Sequence, residues 1–383
     1  MTDVRISSAV MTHPRRLPRA RELAALLGLD AVVVDPDPDG PPSALRTALA
    51  AWAAAAPGAT HHLVLQDDVA APAFLRDLVR RSVRRHPADA LAFYAAWNTR
   101  NGSAVRLAAL VGAGWVRGVP EEFTPTQAVC LPVAMAEEFR RYARGSTDRH
   151  DDEVLSAYLR LTGRMSLIAV PNPVEHIDTD SIAGFDWHGL RRAACPLQEP
   201  GIAVALETGW VLERPGGLPY MRQGEGHARV EGPDGVIGTR GHARWLTALP
   251  YLGCSEEQVH RLVRERRPAD VAAAVGRAFG HRFADELWIH GLLLGRQAAR
   301  LTRCSPVQRL RRPMADRLDR RVRAAAVATL GVSSLLPEAR QSARPDQAAL
   351  LETYVRSGLR CGRAWPDEAS PTAPRLGGEA HDA

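Results

Sequence analysis

The segment His61-His62-Leu63-Val64-Leu65-Gln66-Asp67-Asp68-Val69 concentrates more chemistry than any other in this 383-residue chain. An apolar, strand-like run delivers two adjacent carboxylates to its carboxyl end, which is the edge of an open α/β sheet where ligands bind. Two carboxylates there could hold one divalent cation and leave coordination positions open for phosphate oxygens, as handling a nucleotide diphosphate requires. Helix capping by Asp67 and Asp68 is the competing explanation. It is weakened by Pro72, which suits the first turn of the next helix and would make Ala71 the cap.

Two further clusters could act with the first. Arg149-His150-Asp151-Asp152-Glu153 leads into a helix expected over residues 152–161. A carboxylate there could take a proton from a sugar hydroxyl, although acidic residues in a first turn are also favoured by the helix dipole alone. Val170-Pro171-Asn172-Pro173-Val174-Glu175-His176 leaves a strand as a proline-fixed loop ending in an imidazole. Neutral imidazole suits a borderline divalent metal such as manganese; taken alone, His176 reads as a solvated loop histidine.

Positioning these groups requires a sheet. Short apolar runs alternate with helical patterns through the first half, the sequence form of βαβ units and a mainly parallel sheet. Strands are expected over residues 5–11, 31–34, 61–65, 90–97, 105–111 and 165–170. Helices are expected over 19–27, ended by Gly28, over 44–56, capped by Ser43, from Pro72 to about 85, over 132–142 and over 152–161. The loop 35–42 is rich in Pro, Asp and Gly and should lie at the carboxyl edge of the sheet. From Pro196 the character changes to strands and turns, including Gly232-Pro233-Asp234-Gly235. Beyond Ser255, which with Gln258 forms a capping-box pattern, it becomes helical over 268–279, 285–301 and 315–330.

The chain is longer than one usual domain. A domain over residues 1–194, an accessory domain over 195–364 (hairpins, then helices) and a disordered Pro-, Gly- and acid-rich tail over 365–383 are expected. Hydrophobic residues at 45% and charged residues at 24% exclude a wholly disordered or fibrous chain. The net charge of +6 arises with no lysine at all, a mark of GC-rich coding that points to no nucleic-acid partner. The arginine-rich stretches 80–85 and 309–323 carry helical spacing and read as ion-paired solvated faces; peripheral contact with a membrane or another anionic partner is the alternative. Five scattered cysteines without a CxxC pair argue against a disulfide framework or a zinc site. With no apolar leader and no run of roughly 18 apolar residues, a cytoplasmic protein is expected.

In their order along the chain these motifs resemble the GT-A class of nucleotide-sugar-dependent glycosyltransferases, over about residues 4–182. The resemblance implies a Rossmann-type, mainly parallel sheet flanked by helices. It implies transfer of a sugar from a nucleotide-diphosphate sugar to an acceptor hydroxyl with Mn²⁺ or Mg²⁺. Gln66-Asp67-Asp68 matches the aspartate motif, with Gln66 in place of its first aspartate and Asp68 as metal ligand. Asp151-Asp152 matches the acidic pair, with Asp152 as base in an inverting enzyme and Asp151 as the neighbour that offsets the helix dipole. Pro173 to His176, followed by Ser181, matches the segment whose histidine completes the metal site. Thr12, His13, Arg15 and Asp35 fall where the nucleoside would sit. Trp187 and His188 could face an acceptor. The acceptor-side loop 124–129 lacks the usual glycine. Two alternatives stand beside this expectation: a non-catalytic binding or scaffold protein on a degenerate transferase fold, and a nucleotidyltransferase. The latter should carry a Gly-rich basic loop early in the chain, and residues 12–16 contain no glycine.

Overall fold

The computed structural model describes residues 3–177, 189–197, 199, 206, 210–213, 217–304 and 313–365, with the side chains of 304 and 313–319 excepted. Ser181, Trp187 and His188 lie outside the described residues, as does the tail beyond Trp365. In chain order the first part runs β1 (Ile6–Thr12), α1 (Leu17–Leu27), β2 (Ala31–Val34), α2 (Ala44–Ala53), β3 (His61–Gln66), β4 (Val69–Ala70), α3 (Leu75–Arg85), β5 (Leu91–Ala92) and α4 (Arg100–Val111). There follow β6 (Trp115–Arg117), β7 (Ala128–Pro132), α5 (Val133–Ala143), α6 (Asp151–Leu161), β8 (Leu167–Ala169), β9 (Glu175–His176) and β10 (Val211–Leu212).

These strands build a mixed, mainly parallel sheet in the order β2-β1-β3-β7-β5-β8-β6-β10. Strands β1, β2 and β3 run parallel, and β7 lies antiparallel between β3 and β5. The carboxyl ends of β1, β2 and β3 and the amino end of β7 therefore share one edge. Sequence-local signals set the flanking helices: Gly28 takes a left-handed φ of 62° to end α1, and the Ser43 hydroxyl accepts from Arg46 N at 3.2 Å to start α2.

Two expected elements are corrected. Residues 105–111 belong to helix α4, capped by Thr99 and ended by Gly112 at φ 79°. Every residue of α4 is buried, because the sheet covers one side and the C-terminal helices the other. A helix enclosed all round carries no polar stripe, so its apolar run imitates a strand. Of the run 90–97 only Leu91–Ala92 joins the ladder; its later part bonds instead to residues 192–194, through Ala194 N to Ala95 O at 2.9 Å and Trp97 N to Arg192 O at 2.8 Å.

The second part comprises β11 (Gly217–Arg222), β12 (Glu225–Gly232), β13 (Gly235–Val236), β14 (Ala243–Arg244), α7 (Trp245–Ala248), α8 (Glu256–Arg266), α9 (Ala269–Phe279), α10 (His281–Cys304), α11 (Pro313–Ala328), α12 (Leu330–Ser333), α13 (Pro337–Gln341) and α14 (Pro345–Ala364). Its antiparallel strands form a small separate sheet, and the Ser255–Gln258 capping box opens α8 as expected. Helices α10 and α14 pack lengthwise at glycines 291, 295, 358 and 362.

Ala194 bounds neither sheet nor core. The edge strand β10 comes from beyond it, and one apolar cluster runs from Met11 to Trp365. Buried Arg106 in α4 ties the parts together, donating to Trp97 O (2.6 Å), Ala326 O (3.2 Å), Thr329 Oγ1 (3.1 Å) and Ser333 Oγ (3.0 Å). Trp365, placed in the tail by composition, is buried beneath the Arg296 guanidinium. Cys130, Cys195 and Cys254 are buried free thiols. Among the described residues no helix is long and apolar enough to cross a membrane. The arginines of α3 point away from its buried face of Leu75, Leu78, Val79 and Val83, and Arg80 pairs with Asp77 at 2.8 Å.

Candidate functional site

A cleft of about 480 Å³ opens at the shared sheet edge, within the size range of small-ligand sites. Thr12, His13, Arg15, Asp35, Gln66, Asp67, Asp68, Asp151 and Asp152 all line it. His176 lies behind Asp68, 2% exposed. Residues read from four separate stretches of sequence thus converge on one space, with His176 behind it.

The two carboxylates, which form the turn between β3 and β4, diverge in role. Asp67 turns inward: its Oδ2 accepts from Thr12 Oγ1 at 2.5 Å, its Oδ1 from Arg16 at 3.0 Å, and its backbone oxygen from Arg19 Nε at 2.9 Å. Burial nevertheless raises its proton affinity above that of an ordinary aspartate. Asp68 turns toward β9. The short β4–β9 ladder pairs Val69 with His176, and Ile177 N donates to Asp68 O at 2.8 Å. This pairing brings His176 Nε2 to 3.4 Å from Asp68 Oδ2, with Arg16 Nη1 also at 3.4 Å. Burial works to raise the Asp68 pKa, but His176, Arg16 and Arg191 together outweigh it and hold the carboxyl below its ordinary value. Neither aspartate caps the next helix, and neither does Ala71: α3 begins at Leu75, with Phe74 in the cap position and no side-chain cap.

The acidic pair opens α6, one residue earlier than expected, with His150 in the cap position. Asp148 shapes the approach, its Oδ1 accepting from Arg149 N, His150 N and His150 Nδ1 at 2.7 to 3.0 Å. Asp151 is buried near Thr126 and Gln66, and burial raises its pKa. Asp152 is half-buried at the cleft, its Oδ1 accepting from Glu153 N at 2.8 Å. Burial first, and the Asp151 charge second, push its pKa up to about 7. The helix dipole acts the other way and is overcome.

Of the residues expected to meet a nucleoside, Asp35 and His13 also brace the protein's own loops. Asp35 lines the cleft, but Arg46 Nε and Nη2 each meet one of its oxygens at 2.8 Å, and this pairing lowers its pKa. Arg46 also donates to Pro41 O at 3.0 Å, closing the loop between β2 and α2. His13 accepts at Nδ1 from Arg15 N (3.2 Å), which leaves the proton on Nε2 to donate to Pro38 O (3.3 Å). His13 is thus a brace between two loops as well as a cleft wall. Gln66, expected beside the cofactor, donates to Thr126 Oγ1 at 3.2 Å.

Arg16, Arg46, Gln127 and Arg191 also line the cleft and were not singled out from sequence. Arg16 and Arg46 had a signal, being arginines within reach of acidic loops at strand ends. Arg191 had none, since only the packing of residues 192–194 against the run 90–97 brings it to the site.

Donor chemistry at the floor of the cleft fits a divalent cation. Asp68 Oδ1 and both nitrogens of His176 are buried without a hydrogen-bond partner among the described residues, a costly arrangement for polar atoms. A carboxylate with an imidazole suits a borderline divalent ion such as manganese better than magnesium, which prefers oxygen ligands. The described residues contain no cluster of three or more His, Cys, Asp or Glu side chains arranged for a metal, so water or ligand oxygens would complete the coordination. Comparison with protein-family models finds no match, and comparison with curated protein sequences finds no significant relative.

Proposed function

We propose that this protein is a metal-dependent glycosyltransferase of GT-A type, moving a sugar from a nucleotide-diphosphate sugar to an acceptor hydroxyl. One observation carries the proposal: Asp68, with buried His176 3.4 Å behind it and an oxygen that lacks a hydrogen bond among the described residues, lines one cleft at the carboxyl edge of the sheet together with the raised-pKa carboxyl of Asp152. Asp68 and His176 would hold the cation, which when bound neutralises charge developing on the departing diphosphate. Asp152 supplies the base. The acceptor oxygen forms a bond to the anomeric carbon, and the bond from that carbon to the diphosphate oxygen breaks with its electron pair leaving on the diphosphate. The acceptor proton passes to Asp152 Oδ2, Oδ1 being engaged by Glu153 N. A base with a pKa near the working pH is well matched to that transfer. In a retaining enzyme Asp152 would only bind the acceptor.

A second possibility has its own observation. Both oxygens of Asp35 and both of Asp67 are engaged internally, as the carboxylates of a binding or scaffold protein on a degenerate transferase fold would be.

Thermal stability against uridine, guanosine and adenosine diphosphates, with and without manganese, separates the two. The transferase gives a manganese-dependent rise in melting temperature for one nucleotide, lost in Asp68→Ala. A well-folded wild type that responds to none of them is the scaffold.

A further inference from the structure

Gln66, the last residue of β3, and Gln127, just before β7, meet at the cleft, where Gln66 N donates to Gln127 O at 3.0 Å. Their carboxamides differ in use. That of Gln66 is a strut to Thr126. That of Gln127 has its Oε1 buried with no hydrogen-bond partner among the described residues. It lines the cleft next to Thr126, whose side chain hydrogen-bonds Asp151.

From this we propose that Gln127 is a specificity-determining residue whose carboxamide reads a hydroxyl group of the transferred sugar. The inference rests on the transferase proposal, which sets the sugar between the cation side and the base. A buried acceptor without a donor destabilises the empty cleft, and a ligand hydroxyl arriving there removes that cost. A site built around such a group discriminates strongly against ligands that lack the hydroxyl. Gln127 immediately precedes β7 and its carbonyl accepts from Gln66 N, so its backbone is anchored to the end of β3. A carboxamide suits this task whichever way it is turned, because a hydroxyl both donates and accepts.

Wild type, Gln127→Met and Gln127→Ala are titrated calorimetrically, with manganese present, against uridine, guanosine and adenosine diphosphates and the glucose conjugate of each. Methionine keeps the length of the side chain without the amide; alanine serves if the methionine variant does not fold. For the base whose bare diphosphate binds, both variants are expected to weaken the sugar conjugate by about 10- to 100-fold and leave the bare diphosphate within about twofold. Equal weakening of both ligands, or no weakening of the conjugate, overturns the role of Gln127 while the transferase proposal stands. A wild type that binds no diphosphate at all overturns the transferase proposal, and this inference with it.

Discussion

His176 Nε2 stands 3.4 Å from Asp68 Oδ2 because the two-residue strand β9 pairs with β4 directly after the aspartates. Asp67, one residue earlier, never meets that histidine; it is bonded to Thr12 and Arg16. The two carboxylates therefore make opposite predictions. Asp67→Ala removes the carboxylate that accepts from both Thr12 and Arg16 and is expected to cost about 1–3 kcal/mol of stability, while retaining a response to manganese. Asp68→Ala and His176→Ala are expected to change stability by less and to abolish that response. Denaturant melts and manganese titration of the three variants check the order.

Asp152 gives a pH dependence of definite sign. Its folded pKa of about 7 lies above the ordinary 3.8, so the native state holds a proton that the unfolded chain has lost between those values. Stability from this group is present below about pH 4 and is lost as pH rises through about 7. Asp152→Asn removes that slope. The variant is expected to exceed the wild type at pH 8 by on the order of 1–2 kcal/mol, with no advantage at pH 4. Melting curves across pH 4 to 8 test it; parallel curves for the two proteins contradict it.

In the loop between β2 and α2, Arg46→Met leaves buried Asp35 without its arginine and releases the loop it closes. A loss of about 2–3 kcal/mol is expected, together with faster hydrogen exchange in residues 36–42. Because Arg46 lowers the Asp35 pKa, the stabilisation is present above the ordinary carboxylate pKa and lost on acidification. The difference between variant and wild type should therefore shrink below about pH 4.

Helices α10 and α14 are held close by glycine. A Cβ at Gly362 would fall inside the contact distance of Leu292 O, and one at Gly295 inside that of Leu359 O. Gly362→Ala is expected to destabilise by about 3 kcal/mol. Gly145→Ala, where nothing lies within 4 Å, should change stability by less than about 0.5 kcal/mol. Chemical denaturation of the pair measures the contrast.

Three local capping signals were legible. Gly28, Ser43 and the Ser255–Gln258 box end or start helices where their chemistry places them, since a cap needs only neighbouring residues. The strands delivering Thr12, Asp35 and Asp67 were legible for the same reason: alternation of short apolar runs with helices reports a sheet and its carboxyl edge. Helix α4 was not, because its all-round burial comes from α10 and α11, which follow far later in the chain. The Pro72 cap failed because the chain first forms β4, and that strand exists only by pairing with β9.

By itself, the sequence determined which groups arrive at the sheet edge: carboxylates after β3, an acidic pair opening α6 and a histidine after β8. Only the tertiary structure decided what each group does there. It tied Asp67 and Asp35 to arginines, set His176 against Asp68 with Asp68 Oδ1 and both imidazole nitrogens lacking a hydrogen bond among the described residues, and raised the proton affinity of Asp152 through burial and the Asp151 charge. The physical reason is that residue type sets which charges and donors are available. Pairing, desolvation and proton affinity depend on distances between segments remote in sequence, and packing alone sets those distances.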